Sequence, residues 1–590
     1  MQGSINGTSN EPKIPSTVKP SERLIERLNI DYLVLGFLAL LELITFGPFV
    51  KQIGFYLDDW LMLNTLHFGP QDLLGAFSNY FISDPKVIIR PIEVLHFGAA
   101  YFLFGNRPLG YHLLNGVFEI ACAALLYFAI KRFSRSRLLA FLTAFAYVSY
   151  PIRDSTHYWI LCSSVSLSLA FYLTSFIYSL KGAQEKKWKF YALSAVPFLI
   201  SIYNYEVFMP LAGVSAVAVF LFTFRTEKWV PSLKASVISF LPLFLSGCSL
   251  FVYQRFIVPK LGVGYLHMLK VDPQQILHVI SSGAILSSPF NAVPFFQSQV
   301  ALHMTEPFTV VKSLALLLLL ALGAALTYLI TRREQNQNSL TVRNGLELGA
   351  IGLVAIITSL SIFGLNKEYE PTLMTLVNRI FTGAAFGWSC IFAGVFAGLL
   401  VAAKNILGQV KVEKVAIPVL SLLVGLVGVY FTVTNWQLAQ PWIASWRAQN
   451  GIYFLMKKQK GIHKSPDTII LTDCPRYVMW SPVFDGIWDF QSMTRLALED
   501  PKIKAGVVSE RLEMGSNEMK DMSMGYTCAT YPYERLFVFV PDIKQLLPVE
   551  NGKQFVDIIE KHGEQTRLAS GTLAKWRVQL SDSANRSEGK

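Results

Sequence analysis

The chain has 590 residues, of which 52% are hydrophobic, and a mean hydropathy of +0.40. This composition is too apolar for an ordinary soluble enzyme of this size and predicts an integral membrane protein. The net charge of +12 does not indicate nucleic-acid binding. Its excess lies in residues 1–435, which hold 32 Lys and Arg against 22 Asp and Glu, and membrane topology accounts for a basic excess there.

The N-terminal segment 1–29 begins with a polar stretch rich in Ser, Asn and Pro, which predicts a disordered cytoplasmic tail. No cleavable signal peptide is visible, so the first apolar stretch is expected to remain as an anchor. A helix needs about 20 apolar residues to cross a bilayer, and such stretches recur as far as residue 435. We predict about eleven transmembrane helices, at 30–50, 109–130, 138–152, 158–180, 190–203, 206–224, 236–257, 309–331, 346–364, 380–403 and 415–434.

Clusters of Lys and Arg occur at every second connection between these predicted helices. Cytoplasmic loops of membrane proteins carry such an excess, so these connections and the N-terminus are expected to face the cytoplasm. An odd number of crossings then exports the C-terminal region. We therefore expect a multi-pass protein of the plasma (inner) membrane with a periplasmic C-terminal domain. The basic connections are 131–137, 181–189, 225–234, 332–343 and 404–414.

Residues 51–108 form a long first outer loop. Within it, the segment 88–104 is apolar enough to suggest a further span, but it carries Arg90, Glu93 and His96. Counting it as a crossing would place every later basic connection on the outer side, against the positive-inside rule. We therefore predict a helix that lies along the membrane surface.

The composition changes after Asn435, and residues 436–590 are predicted to form a small α/β domain outside the cytoplasm. The segment 436–460 has the pattern of an amphipathic connecting helix. Two short β-rich runs and one helical run follow, at 468–473, 535–542 and 553–563.

This exported region contains two cysteines, Cys474 and Cys528. Thiols are oxidised outside the cytoplasm, so a disulfide between them is expected, with two buried free thiols as the alternative.

An acidic pair, Asp58 and Asp59, follows the first predicted span on the outer side, with Tyr56 before it and Trp60 after it. Two adjacent carboxylates at a membrane surface are unfavourable unless they take up a proton, a cation or a basic partner. A solvated acidic turn is the alternative, but aromatic neighbours are not typical turn formers. The pair is therefore the first candidate for chemistry.

Several other strong charges lie at outward connections, where the positive-inside rule requires no arginine. Ordinary anchoring at the depth of the lipid headgroups is the alternative for each of them. Glu42 and Glu119 lie inside predicted spans, where a buried carboxylate is either functional or bonded to a neighbouring helix. The outer candidates are Arg90, His96, Arg153, Asp154, Glu206 and Arg379.

The order of these features resembles the GT-C superfamily of integral-membrane glycosyltransferases, in particular protein O-mannosyltransferases and the lipid A aminoarabinose transferases. The resemblance covers about residues 30–400 and departs from the family in having Asp-Asp where several relatives have Asp-Glu, and in the position of Asp154. The C-terminal domain matches no known catalytic module. The matching features are the acidic pair Asp58-Asp59, Arg90-Pro91, the segment Pro108–Asn115, the turn Pro151–Asp154 with Trp159, Glu206 before Pro210, and Asn378-Arg379.

The resemblance implies an all-α, GT-C-like polytopic fold that transfers a sugar from a polyprenyl-phosphate donor to an acceptor glycan, lipid or protein outside the cytoplasm. Asp58 would be the general base, with Asp59 as its partner. A divalent cation (Mg or Mn) on Asp58 and Asp59 is possible in such a site. Arg379 would bind the donor phosphate, supported by Arg90 or Arg153. The expected substrate-binding residues are Arg379, Arg90, Arg153, Asp154, Glu206, Tyr56 and His96.

Two other classes of function remain open at this stage. A transporter or flippase of lipid-linked saccharides would need polar residues along a path through the membrane and paired broken helices. The charged residues instead collect at one face, and no two-fold repeat is evident. A non-catalytic assembly partner would not need the acidic pair.

Overall fold

The computed structural model describes residues 29–588 except 84, 262–270, 306–308, 336–339, 367–368, 375, 460–467, 524–525 and 564–567. Nearly all of the predicted tail 1–29, as well as Lys367 and Glu368, lies outside the described residues. Within them, nine helices are long and apolar enough to cross a membrane. The protein is therefore a polytopic α-helical membrane protein.

The helices that begin before residue 230 include those of the first outer loop and the first five of these candidate spans. Helix α1 begins after Asn29, whose side chain accepts a hydrogen bond from the backbone N–H of Asp31. The helices are α1 (Ile30–Thr45), α2 (Asp58–Phe68), α3 (Leu73–Ser83), α4 (Pro85–Ile88), α5 (Pro91–Phe104), α6 (Pro108–Ser134), α7 (Arg137–Val148), α8 (Asp154–Tyr158), α9 (Ser163–Glu185), α10 (Trp188–Asn204), α11 (Ala212–Phe224) and α12 (Trp229–Val252).

The later helices complete the membrane region and extend into the C-terminal domain. Short 3₁₀ segments precede two of them, Glu206–Leu211 before α11 and Leu376–Phe381 before α17. The helices are α13 (Pro273–Leu286), α14 (Val293–Thr305), α15 (Val310–Gln335), α16 (Val342–Ser361), α17 (Thr382–Leu407), α18 (Gln409–Lys411), α19 (Ile417–Lys458), α20 (Ile487–Leu498), α21 (Gly552–His562) and α22 (Thr572–Glu588).

Two of the eleven predicted spans are short helices that are not among these nine. Helix α7 has 12 residues, and every residue after Arg137 is buried among its neighbours. Helix α10 has 17 residues and contains Pro197. A pair not predicted as a span, Pro273–Leu286 with Pro289–Gln299, is apolar but bent by 54°. By length and composition the described residues thus give nine spans, or ten with this bent pair.

A helix is present where the interfacial helix is predicted, and this helix, α5, begins directly after Arg90. The predicted connecting helix 436–460 also exists, but no break precedes it. It continues the last span in a single 42-residue helix, α19, which contains Pro441 without ending there. A helix of this length extends for about 63 Å, roughly twice the hydrocarbon thickness of a bilayer.

Helices α16 and α17 pack with their backbones almost in contact, which fixes the loop between them. A Cβ atom placed on Gly387 would lie 2.5 Å from the carbonyl oxygen of Gly352, and one on Gly394 would lie 2.6 Å from that of Gly345. Small residues allow such close packing of membrane helices. The loop they hold contains Arg379.

The C-terminal region is an α/β unit, as predicted. Its main sheet has the strand order β4-β1-β8-β9, in which β1 is parallel to both of its neighbours and β9 is antiparallel to β8. A hairpin (β2 with β3) and a three-stranded sheet (β5-β6-β7) complete it. The strands are β1 (Ile469–Thr472), β2 (Tyr477–Val478), β3 (Ser481–Pro482), β4 (Lys504–Val507), β5 (Leu512–Met514), β6 (Glu518–Asp521), β7 (Ala529–Pro532), β8 (Leu536–Val540) and β9 (Gln545–Val549).

The predicted disulfide is wrong in this structure, because Cys474 and Cys528 are both free thiols. Cys474 follows β1 and is buried in an apolar cluster with Phe484 and Phe490. Cys528 precedes β7 in the separate three-stranded sheet, where its backbone N–H donates to the carbonyl of Asp521.

Candidate active site

The acidic pair lies in a strained turn at the start of α2. Leu57 has φ 46° and ψ −115°, close to the first central position of a type II′ turn that usually requires glycine. The backbone N–H of Asp59 donates to the Tyr56 carbonyl across this turn (3.0 Å). Such a backbone costs about 1–3 kcal/mol and persists only where its surroundings enforce it.

Asp59 enforces the turn from within. Its Oδ2 accepts the backbone N–H of Tyr56 (2.9 Å), and its Oδ1 accepts that of Leu161 (3.0 Å). The side chain is fully buried, and burial raises the pKa of Asp59 well above its ordinary value, although these hydrogen bonds act in the opposite direction. Asp59 therefore holds the first outer loop against the segment before α9.

Asp58 points the other way and lines a half-open chamber of about 250 Å³. The two carboxylates are adjacent in sequence but do not share one space, as expected for neighbours at a helix start. The chamber also brings together four separate parts of the chain. Its other polar and aromatic lining residues are Tyr80, Arg90, Glu93, Trp159, Cys162, Ser164, Tyr205, Tyr369 and Arg379.

Arg90 and Glu206 form a two-pronged ion pair at the edge of the chamber. Arg90 Nε and Nη2 donate to the two carboxylate oxygens at 2.8 and 2.7 Å, and the guanidinium lies 4.3 Å from the centre of the Tyr205 ring. Burial acts to lower the pKa of Arg90, but the Glu206 charge outweighs it and the pKa is raised. The pair ties the loop before α5 to the segment that precedes α11.

Arg379 enters the chamber from the loop between α16 and α17. Its Nη1 donates to the carbonyl of Leu376 (2.6 Å), and its guanidinium carbon lies 5.1 Å from the Trp159 ring and 5.6 Å from the Tyr369 ring. Among the described residues, no carboxylate lies within 4.0 Å of its nitrogens. Its charge is therefore held by aromatic faces and a carbonyl oxygen rather than neutralised by an acid.

Asp154 lies behind Arg379 rather than in the chamber. It accepts hydrogen bonds from Trp442 Nε1 (2.7 Å) and from the side-chain amide of Asn378, the residue before Arg379. Ser155 completes the group by donating from its backbone N–H (3.2 Å) and its hydroxyl (2.6 Å) to Asn378 Oδ1. Burial raises the pKa of Asp154 to about 6. Asp154 thus positions the segment that presents Arg379.

Arg153 is not brought to the chamber. It is completely buried in an ion pair with Glu119, at 3.1 and 3.0 Å, and donates a further hydrogen bond to the Tyr147 carbonyl (3.1 Å). The Ser166 hydroxyl also donates to Glu119 (2.5 Å). This network accounts for both charges inside the helix bundle without a ligand.

Two further predicted binding residues face elsewhere. The Tyr56 hydroxyl donates to the Trp442 carbonyl (2.7 Å), and its own carbonyl accepts Trp159 Nε1 (3.1 Å). His96 Nε2 lies 2.8 Å from the Ser163 hydroxyl, and burial lowers the pKa of His96 to about 4. Tyr56 and His96 are not among the residues that line the chamber.

The residues present give limited support for a metal site. No group of three or more His, Cys, Asp and Glu within the described ranges could hold an ion. Both oxygens of Asp59 accept backbone hydrogen bonds, whereas Asp58 lines the chamber.

An apolar groove of about 380 Å³ adjoins the chamber and shares Ile89, Arg90 and Tyr369 with it. It runs between the 3₁₀ segment before α11, the end of α12 and the end of α16. Its walls are formed mainly by Val207, Met209, Leu250, Phe251, Ile362, Phe363 and Leu365. The polar chamber therefore adjoins a space suited to hydrocarbon.

Tyr80, Tyr369 and Trp442 could not be recognised as site residues from the sequence. Aromatic residues are abundant in this chain, which has 24 Tyr and 11 Trp, so none of them carries a distinguishing signal. Only the folded chain shows that Tyr369 lies beside Arg379 and that Trp442 bonds to Asp154.

No protein-family profile matches the chain, and no curated protein matches it. Among solved structures, it is similar to ArnT from Cupriavidus metallidurans bound to undecaprenyl phosphate, with 11% identity over 79% of this chain and 85% of that chain and a TM-score of 0.42. For the apo state of that protein, the identity is 11% over 79% of this chain and 84% of that chain, and the TM-score is 0.40. It is also similar to the Archaeoglobus fulgidus oligosaccharyltransferase tethered with an acceptor peptide, with 10% identity over 80% of this chain and 63% of that chain and a TM-score of 0.36.

Proposed function

We propose that the protein is a membrane glycosyltransferase that moves a sugar from a polyprenyl-phosphate donor to an acceptor hydroxyl outside the cytoplasm. The observation that carries this proposal is the meeting of Asp58 and Arg379 in one chamber that adjoins an apolar groove. A lipid-phosphate sugar needs hydrocarbon space for its chain, a cation for its phosphate and a base for the incoming hydroxyl. The three requirements are met in adjoining spaces.

Arg379 is the proposed ligand of the donor phosphate. Its charge has no carboxylate partner among the described residues, whereas that of Arg90 is matched by Glu206. A guanidinium binds phosphate oxygens with two parallel hydrogen bonds. It would stabilise the negative charge that develops on the phosphate as the glycosidic bond breaks. Arg90, at the border of chamber and groove, would add positive potential.

Asp58 is the proposed general base. In a single displacement, the acceptor oxygen forms a bond to the anomeric carbon while its proton passes to the Asp58 carboxylate. The bond between that carbon and the phosphate oxygen breaks, and its electron pair leaves with the lipid phosphate. One in-line displacement inverts the anomeric configuration. An α-linked product from a β-linked donor, or the reverse, is therefore expected.

The remaining predicted site residues act indirectly in this proposal. Asp59 holds the turn that presents Asp58, and Asp154 positions the segment that presents Arg379. Arg153 stabilises the helix bundle through Glu119. A divalent cation would be held through Asp58 and would add positive charge near the phosphate. Loss of turnover in EDTA with recovery in Mg²⁺ or Mn²⁺ supports this part, and full turnover in EDTA refutes it.

The decisive experiment supplies the purified chain with a polyprenyl-phosphate sugar and a set of acceptors, and measures released polyprenyl phosphate. A transferase consumes the donor, whereas a flippase in sealed vesicles moves it across the bilayer intact. If the donor crosses the bilayer without being cleaved, the protein is a transporter of lipid-linked saccharides and this proposal is wrong.

The proposed orientation has its own test. Reporter fusions at the C-terminal end of the chain should be exported, and fusions within 131–137 should be cytoplasmic. If both positions report one compartment, the proposed topology is wrong.

A further inference from the structure

A second cavity, of about 440 Å³, lies on the opposite side of α2 from the chamber. Asp58 lines the chamber, whereas Trp60 lines this second cavity. Residues two positions apart in a helix are rotated by about 200° around its axis, so their side chains point in nearly opposite directions. The two cavities therefore lie back to back, and the second is not an extension of the proposed active site.

Aromatic side chains from two distant parts of the chain form one wall of this cavity. The Trp60 ring stacks on Trp446 (centroids 6.2 Å apart, interplanar angle 27°) and on Tyr453 (6.0 Å, 24°). Trp60 Nε1 donates to Gln449 (2.7 Å), which fixes the orientation of the indole. Phe454, at the rim, is 55% exposed. The wall is rigid and apolar, and its edge is open.

Two cations lie at the mouth of the cavity. Lys51 and Arg107 are exposed, and among the described residues no carboxylate lies within 4.0 Å of either side chain. Glu499, which is not among the lining residues, exerts an electrostatic effect on Tyr453 of the wall. Lys51 and Arg107 belong to the side where the positive-inside rule requires no basic residue. Their common position thus needs another explanation.

The cavity also lies directly beyond the ends of two membrane spans. Lys51 follows the first span, which ends at Phe49, and Arg107 precedes α6, which begins at Pro108. Aromatic and basic side chains at the end of a span lie at the depth of lipid headgroups. A ligand here can reach the cavity from the bilayer.

We propose that this second cavity binds the phosphate headgroup of an anionic bilayer lipid. Lys51 and Arg107 would bind the phosphate through charge-assisted hydrogen bonds. The glycerol region would contact Trp446 and Tyr453, and the acyl chains would follow the exposed face of Phe454 into the bilayer. The proposal does not depend on the proposed transferase activity, because it concerns lipid binding alone.

The test titrates the full-length chain, purified in a neutral detergent, with phosphatidylglycerol and counts bound lipids by native mass spectrometry. The wild-type chain should hold one tightly bound phosphatidylglycerol and bind phosphatidylcholine more weakly. Lys51→Gln with Arg107→Gln should weaken that binding by at least about tenfold, since hydrogen bonds to charged groups are lost. Lys51→Arg with Arg107→Lys should retain it.

A matched control removes two exposed lysines elsewhere, Lys228→Gln with Lys234→Gln, and should leave the tight lipid in place. Unchanged phosphatidylglycerol binding in the Lys51/Arg107 double variant would overturn the proposal. So would equal binding of phosphatidylcholine, or binding of a neutral glycolipid that is insensitive to both cations. Displacement of the lipid by millimolar glycerol phosphate would identify a soluble phosphate ligand and would also contradict it.

Discussion

Exchanging each carboxylate of the acidic pair for its amide should distinguish the general base, Asp58, from the residue that stabilises the turn, Asp59. Asp58→Asn keeps the shape of the side chain and removes its basicity. Asp58 is half-buried at the first position of α2, where the helix dipole contributes about 0.3–1 kcal/mol through its charge. The variant should therefore fold like the wild type. Its turnover should fall by about 10²–10⁴-fold, the usual contribution of a positioned general base.

Asp59→Asn should mainly lower the stability of the fold and should reduce turnover only indirectly. An amide offers one oxygen to the two backbone N–H groups of Tyr56 and Leu161, so one buried N–H loses its acceptor. Leaving a buried donor unsatisfied costs about 1–3 kcal/mol. The strained backbone at Leu57 would also lose part of its support. We expect a clearly lower unfolding temperature, and a loss of turnover that recovers partly when the assay is run at lower temperature.

Both variants can be measured together. Release of polyprenyl phosphate reports turnover, equilibrium binding of the intact donor reports the phosphate site, and thermal unfolding in detergent reports the fold. If Asp58 is the general base, donor binding and the unfolding temperature of Asp58→Asn stay unchanged. This role of Asp58 is refuted if the variant keeps more than about a tenth of wild-type turnover, a smaller loss than the expected range. A collapse of turnover in a fully stable Asp59→Asn protein would transfer the role of base to Asp59.

Three further predictions concern the cations and their supports. Arg379→Lys should raise the donor KM strongly at normal expression, because lysine cannot reproduce a two-pronged contact with phosphate; an unchanged KM would leave Arg379 as an interface anchor. Arg153→Met should destabilise the fold by about 3–5 kcal/mol, because it leaves the buried Glu119 carboxylate without its ion-pair partner. The double variant Arg153→Met with Glu119→Met should recover part of the unfolding temperature. A stable Arg153→Met protein with weak donor binding would contradict this. The pKa of Asp154 is about 6 in the folded protein and 3.8 when the chain is unfolded. Between these pH values the unfolded chain loses the proton more readily, so the wild-type protein should become less stable as pH rises. The unfolding temperature of Asp154→Asn relative to wild type should rise from pH 4 to 6 and then level off, and a flat difference would show that the carboxyl is not perturbed.

Much of the membrane architecture could be predicted because long apolar runs and basic connections are strong local signals. The predicted span at 138–152 is a helix of only 12 residues, α7, which is apolar on every side and is surrounded by other helices. The start of α5 after Arg90 and the strands near residues 470 and 537 were also predictable, since Pro91 and β-branched runs act locally.

Three of the predicted site residues, Asp58, Arg90 and Arg379, line the chamber, but how the charged residues pair could not be predicted. Arg90 and Glu206 are 116 positions apart, and nothing local indicates that they form a pair. The same holds for Arg153, which by its position alone could equally have faced the outer surface. Its partner Glu119 comes from a neighbouring helix, and only helix packing brings the two charges together.

The continuity of α19 has a practical consequence for dividing the protein. Composition places a boundary after Asn435, but a chain cut there would lack Trp442, the indole that hydrogen-bonds to Asp154. The α/β unit is attached a second time, because the Pro482 carbonyl in its hairpin accepts hydrogen bonds from Ser445 and Gln449 of the same helix. Truncated membrane fragments that end near residue 435 should therefore lose activity even when they insert correctly. Adding back the separate C-terminal piece should restore it only if that piece carries the outer half of α19.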